Sequence, residues 1–187
     1  MREPGTIWLT GLPCSGKTTL AMALKEELDK KGYQTVHLDG DVVRAGINKG
    51  LGFSSDDRRE NLKRVAHMAR DLSREGNVVI ASFVSPTNEL RGMVRKIIGP
   101  MWLVYVKCSL EECKKRDVKG MYKKAEKGEI KEFTGISASF EEPDEVDVVV
   151  NTENNDVEGC ICEIAKALEM SPGSPTVFGS QCQCPGD

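Results

Sequence analysis

The chain has 187 residues, 39% of them hydrophobic and 29% charged, with a formal net charge of −3. A chain of this length buries roughly 70% of its unfolded surface, so one ordinary domain needs no disulfide or metal staple. The slight acidity excludes the basic signature of a nucleic-acid binder and no apolar run reaches the length of a membrane span, so neither nucleic acid nor membrane is expected as a partner.

The opening "MREPGTIWL" lacks the long apolar stretch of a signal peptide, which places the chain in the cytoplasm. The first strand is predicted over "TIWLTG", residues 6 to 11, and the helix after it runs from Gly16 to about Lys31 with Leu20, Leu24 and Leu28 on one face. Gly32 stops it. A second strand, "QTVHLDG", covers 34 to 40. Ser55 is the expected N-cap of the next helix, which turns Leu62, Val65, Ala66, Ala69 and Leu72 inward. Strands follow over 77–85, 101–108 and 146–152, separated by helices over 87–98, 109–116 and about 119–127, with a last helix over 156–169. Strands alternating with helices predict a parallel sheet covered on both faces.

Two segments break the pattern. Residues 109 to 142 are rich in Lys, Glu and Gly with little apolar periodicity, and are expected to lie over the ligand edge of the sheet as a mobile lid. After Met170 the chain becomes "SPGSPTVFGSQCQCPGD", so the domain is drawn as 1–170 and 171–187 as a loosely ordered tail. Seven cysteines, an odd number without an export signal, predict free thiols. The pairs Cys160/Cys162 and Cys182/Cys184 lack the spacing and nearby ligands of a zinc site, since His37 and His67 lie far off.

The first chemistry-bearing motif is "GLPCSGKT", comprising Gly11, Leu12, Pro13, Cys14, Ser15, Gly16, Lys17 and Thr18. It matches G-x-x-x-x-G-K-[ST] between a strand and a helix, where backbone N–H groups wrap phosphates at a helix N-terminus. Four fixed positions would match by chance in about one such chain in a hundred. Lys17 is assigned to the β- and γ-phosphates and the Thr18 hydroxyl to Mg²⁺, which makes ATP the expected co-substrate. No N-K-x-D string occurs, so a small-molecule kinase is favoured over a GTPase.

Ligands of such sheets bind at the carboxyl ends of strands, where Asp39 and Asp41 end the second one. In extended chain, positions i and i+2 share a face, which would aim both carboxylates at metal and acceptor hydroxyl. The bland alternative is an Asp-Gly turn. Arg58 and Asn61 lie three apart on one helix face, although charged residues there are usually solvated. Phe53 and Phe133 sit in polar loops where core packing does not obviously call for them, which points to stacking on a flat ligand.

These strings together resemble the adenylylsulfate kinase (APS kinase) family. The likeness runs from "TIWLTGLPCSGKTTLA" through "LDGDVVR", "NKGLGFSSDDRRENLKRVA", "SFVSP", "CKKRDVKGMYKKAEKGEIKEFTGI" and "EEP", about residues 6 to 152. It implies an α/β fold of the P-loop kinase type, a three-layer αβα sandwich with a five-stranded parallel sheet. It implies Mg-ATP as donor, the 3'-hydroxyl of adenylyl sulfate as acceptor, a homodimer and functional coupling to ATP sulfurylase. Carried over by position, it gives acceptor binding to Asp41, Arg44, Phe53, Arg58, Asn61, Val84, Ser85, Lys119 and Phe133, with both phenylalanines on the adenine. Asp41 is the expected base or orienter and a ligand of Mg²⁺ directly or through water, with Asp39 supporting metal-bound water and Lys17 neutralising charge. Ser85 stands where the family carries a phosphoserine; no base flanks it, so it is assigned to acceptor binding.

Val42, Thr87, Val118 and Phe140 depart from the family pattern beside the main chemistry. A nucleoside or sugar-acid kinase is the nearest alternative reading. A non-catalytic module regulating ATP sulfurylase would have lost Lys17, Thr18 or the acidic pair, and all are present.

Overall fold

Strand β1 (Thr6–Thr10) is buried along its whole length, and its alternate side chains feed two separate cores. Ile7 and Leu9 point to one face of the sheet and Trp8 to the other. In this computed structural model, residues 5–46, 48–52 and 54–170 are described. The strands β1, β2 (Thr35–Asp39), β3 (Val78–Ser82), β4 (Met101–Lys107) and β5 (Val148–Asn151) form one sheet in the order β2-β3-β1-β4-β5. Every pair is parallel. Helices on both faces explain why the strands read as continuous apolar runs rather than alternating ones.

Helices α1 (Lys17–Lys30) and α7 (Val157–Met170) cover one face, packing Leu20, Leu24, Leu28, Ile164 and Leu168 against Ile7, Leu9, Ile80 and Val104. On the other face α3 (Ser55–Arg74) and α4 (Asn88–Ile98) pack Leu62, Val65, Ala69, Leu90 and Val94 against Trp8, Val79 and Leu103. A third, smaller cluster joins Cys108, just after β4, to Cys113, Tyr122, Ala125 and Phe133 of the 109–142 segment. That segment carries α5 (Leu110–Arg116), α6 (Met121–Glu126) and an isolated bridge between Thr134 and Ala138. No helix among the described residues is long and apolar enough to cross a membrane.

Three sequence expectations change. Ser54, not Ser55, caps α3, because its hydroxyl accepts from Asp57 N at 3.1 Å, the third residue into the helix. The Asp39–Asp41 stretch is neither an extended pair nor a turn. It is the junction of β2 with a six-residue helix, α2 (Gly40–Ala45), which begins directly at the strand's end. Cys14, Cys108, Cys113 and Cys160 are free thiols, but Cys162 is disulfide-bonded. An odd count requires only that one thiol stay unpaired. Phe53, Cys182, Cys184 and the segment 171–187 lie outside the described residues.

Candidate active site

The carboxyl ends of β1, β2 and β3, the start of α7 and the 109–142 segment enclose a cavity of about 920 Å³. Its floor is the loop from Gly11 to Lys17. Gly11 has φ +153°, and a Cβ there would stand 2.5 Å from Val106 O and 2.8 Å from Ser15 Oγ, so the close turn needs glycine. Gly16, at φ +97°, begins α1 without a side-chain cap, so no side chain competes with a ligand for the helix N–H groups. Lys17 Nζ folds back onto Leu12 O at 2.6 Å and Gly11 O at 3.0 Å. Burial pushes its ammonium down to a pKa of about 8.

Asp39 joins this floor to the next strand. Its Oδ1 accepts from Asp41 N at 2.9 Å and Val42 N at 3.4 Å, which caps α2. Its Oδ2 accepts from the Thr18 hydroxyl at 2.8 Å and the Ser82 hydroxyl at 3.1 Å, and Ser82 Oγ lies 2.9 Å from His37 Nε2. Burial pushes the Asp39 carboxyl up, but these donors outweigh it and hold the carboxyl below its ordinary value. Burial also lowers the pKa of His37.

The opposite wall carries the acceptor candidates. Asp41, on the first turn of α2, pairs with Lys119 from the 109–142 segment, and this bond raises the lysine's pKa. Arg44 donates to Gly52 O at 2.7 Å. Arg58 donates to Thr134 Oγ1 at 2.5 Å and to Glu132 O. Burial lowers both arginines' pKa values. Asn61 is buried and accepts from Asn48 Nδ2 at 2.9 Å, which leaves only the rest of its amide open to the cavity. Val84 O accepts from Thr10 Oγ1 at 2.7 Å.

Ser85 has a left-handed backbone, φ +43°, and is 1% exposed. Its Oγ accepts from Trp8 Nε1 at 3.0 Å and its carbonyl accepts from Arg91 Nη1 at 2.6 Å. A hydroxyl with that partner and no neighbouring base is poorly made for nucleophilic attack. Phe133 is accounted for by packing as well as by the cavity. Its ring meets Tyr122 edge-on at 5.0 Å within the small cluster, and the Tyr122 hydroxyl donates to Pro13 O at 2.9 Å.

Of the predicted residues inside the described chain, the cavity is lined by Pro13, Cys14, Gly16, Lys17, Thr18, Asp39, Asp41, Arg44, Arg58, Asn61, Val84, Ser85, Lys119 and Phe133. Gly11 and Leu12, whose carbonyls accept from Lys17 Nζ, do not line it, and neither does Ser15. Its far end was missed from sequence. Arg116 donates to Thr152 O at 2.8 Å, Thr152 Oγ1 donates to Ser15 O at 2.8 Å, and Asn155, Asp156 and Val157 continue that wall. The strand-end rule that marked Asp39 marks residues 152 to 157 equally, since they follow β5. Among the departures, Thr87 caps α4 and Phe140 stacks on Tyr105, while Val42 and Val118 are exposed.

A parallel sheet with a phosphate-wrapping loop after β1, facing a wall of carboxylate and guanidinium groups across one cavity, defines a kinase of the P-loop type. The chain matches the family model described as adenylylsulphate kinase over residues 3–151. It is 46% identical over 169 residues to the adenylyl-sulfate kinase of Staphylococcus epidermidis, which covers 89% of this chain and 85% of that protein. It is 49% identical over 156 residues to that of Bacillus licheniformis, covering 82% and 79%. The structure of the Mycobacterium tuberculosis APS kinase CysC in complex with AMPPNP and APS matches it with a TM-score of 0.87 at 36% identity, covering 90% of this chain and 99% of that one. The chain belongs to the adenylylsulphate kinase family.

Proposed function

We propose that the cavity holds ATP and adenylyl sulfate end to end, with the γ-phosphate over Lys17 and the acceptor's 3'-hydroxyl beside Asp41. The chain is an adenylyl-sulfate kinase: it moves the γ-phosphoryl group of ATP to that hydroxyl, yielding 3'-phosphoadenylyl sulfate and ADP. The observation that carries this arrangement is the single cavity joining the Gly11–Thr18 loop to the wall of Asp41, Arg44, Arg58, Asn61 and Lys119. Asp41 orients or deprotonates the hydroxyl. Arg44 and Arg58 take the phosphosulfate anion, exchanging loop carbonyls for its oxygens. Phe133 covers the acceptor's adenine, and Arg116 with residues 152–157 borders the donor's base.

Hard oxygen donors suit Mg²⁺, which is usually held by one or two carboxylates together with substrate phosphates. Thr18 Oγ1 and Asp39 Oδ2, 2.8 Å apart at the edge of the phosphate floor, fit that need, with Asp41 on the following turn. When bound, the cation neutralises charge on the transferring phosphoryl group. A cytoplasmic homodimer coupled to ATP sulfurylase, with 109–142 as a lid, belongs to the same proposal and is supported by the family resemblance.

The test is an assay with ATP, Mg²⁺ and adenylyl sulfate, against adenosine, gluconate and shikimate as acceptors, with products identified by chromatography. Saturable turnover of adenylyl sulfate alone is expected. Turnover of another acceptor with none of adenylyl sulfate would sink the assignment.

A further inference from the structure

The last residue of β3 is a serine whose single proton has two candidate acceptors. Ser82 lies in register with Leu9 of β1 and Asp39 of β2, and is 4% exposed. Its hydroxyl donates to Asp39 Oδ2 at 3.1 Å, while His37 Nε2 stands 2.9 Å from the same oxygen. Asp39 accepts from the Thr18 hydroxyl on Oδ2 and from two backbone N–H groups on Oδ1, so as a carboxylate it only accepts, and the Ser82 proton is committed there. The bond to His37 then runs the other way, from Nε2–H to Ser82 Oγ. His37 and Asp39, two apart on one strand, share a face, which is how strand β2 presents both to Ser82.

We infer that Ser82 and His37 are positioning residues that lock Asp39 for the magnesium–nucleotide site. Donors reach both Asp39 oxygens: backbone N–H groups of α2 hold Oδ1, and Thr18 and Ser82 hold Oδ2. A carboxylate so held cannot swing, and its Oδ2 stays beside the Thr18 hydroxyl. Without Ser82 one of the two anchors on that oxygen is lost. Without His37 the Ser82 rotor loses its fixed direction. Imidazole carries a proton on Nε2 in this tautomer and when charged, so the arrangement does not depend on its titration. Neither residue is assigned contact with the reacting atoms, and the inference rests on the reading of Thr18 as the cation's end of the floor.

Calorimetry of ADP binding with and without Mg²⁺ tests it in the wild type, Ser82→Ala, His37→Leu and His37→Gln. Without Mg²⁺ all four should bind ADP alike. With it, Ser82→Ala and His37→Leu should lose about tenfold of the magnesium-dependent gain, the low end for removing a partner behind a ligating group. His37→Gln, whose amide keeps a donor near the Nε2 position, should retain most of the gain. In long-range ¹H–¹⁵N spectra of the unliganded wild type, His37 should be the Nε2–H tautomer, and Ser82→Ala should abolish that preference. An Nδ1–H tautomer, an unchanged magnesium gain in Ser82→Ala, or equal weakening with and without Mg²⁺ would overturn the proposal. These measurements need no acceptor, so their failure and the failure of the adenylyl-sulfate assay are separable.

Discussion

Asp41 lines the same cavity as Asp39, and in the unliganded chain its partner is Lys119. Both side chains of that pair are largely exposed, so solvent screens it and its loss costs at most about 1 kcal/mol of stability. Asp41→Asn should therefore leave thermal unfolding nearly unchanged while lowering kcat by about 10²- to 10⁴-fold, the usual range for a positioned acid or base. The KM for adenylyl sulfate should move far less in steady-state kinetics. Equal damage to both parameters would count against the role. Lys17 makes a second prediction, in pH. With a folded pKa of about 8, the free protein's ammonium is charged below that value and neutral above it. ADP affinity measured by calorimetry should fall as pH climbs through 8, and a flat profile would refute this. Stability runs the opposite way. The unfolded chain keeps the proton up to the ordinary lysine value of 10.5, so from about 8 to 10.5 the unfolded state binds more protons and the unliganded fold gains stability.

At the scale of elements, the 109–142 segment differs from the rest in having its own small apolar cluster, tied to the phosphate floor through Tyr122 and Pro13. Phe133 belongs to that cluster and to the cavity wall at once, so its truncation acts twice. Phe133→Ala should raise the KM for adenylyl sulfate several-fold, in line with about 0.5–1.5 kcal/mol for an aromatic contact, and leave the KM for ATP nearly unchanged. It should also speed hydrogen exchange around α6, where Tyr122 loses its ring partner. Phe133→Leu separates the two effects. It should restore slow exchange by refilling the cluster but not the acceptor's KM, because only a flat ring stacks on a base. Restoration of both would mean that Phe133 serves packing alone.

Across the whole molecule, what could be read from the chain was whatever long-range packing imposes on a local pattern. A sheet covered on both faces demands unbroken apolar runs, which is why "NVVIASFVS" and "MWLVYVKC" marked β3 and β4 so plainly. The phosphate loop was legible because its chemistry needs glycines and a lysine at fixed spacing, independent of the rest of the fold. Helix α2 follows β2 with no loop between them and carries the β-branched Val42 and Val43, so it was read into the end of the strand, and Asp39 and Asp41 were given the geometry of a strand. The packing of Phe133 against Tyr122 was not legible either. A five-residue cluster has no sequence signature, and its neighbours in sequence are polar. On the far wall Thr152 and Val157 needed only the strand-end rule applied to β5, whereas Arg116 ends α5 and carried no such signal.

The double duty of Asp39 bears on how descendants of such a chain would look. The carboxylate proposed to face the cation also accepts the first two backbone bonds of α2, so a copy that gave up catalysis would still be under pressure to keep it for folding. Survival of Asp39 in a relative is thus poor testimony that the relative is active. Asp41 caps nothing and sits in solvent, which leaves chemistry as its main reason to persist and makes it the better marker for telling a working enzyme from a silent one.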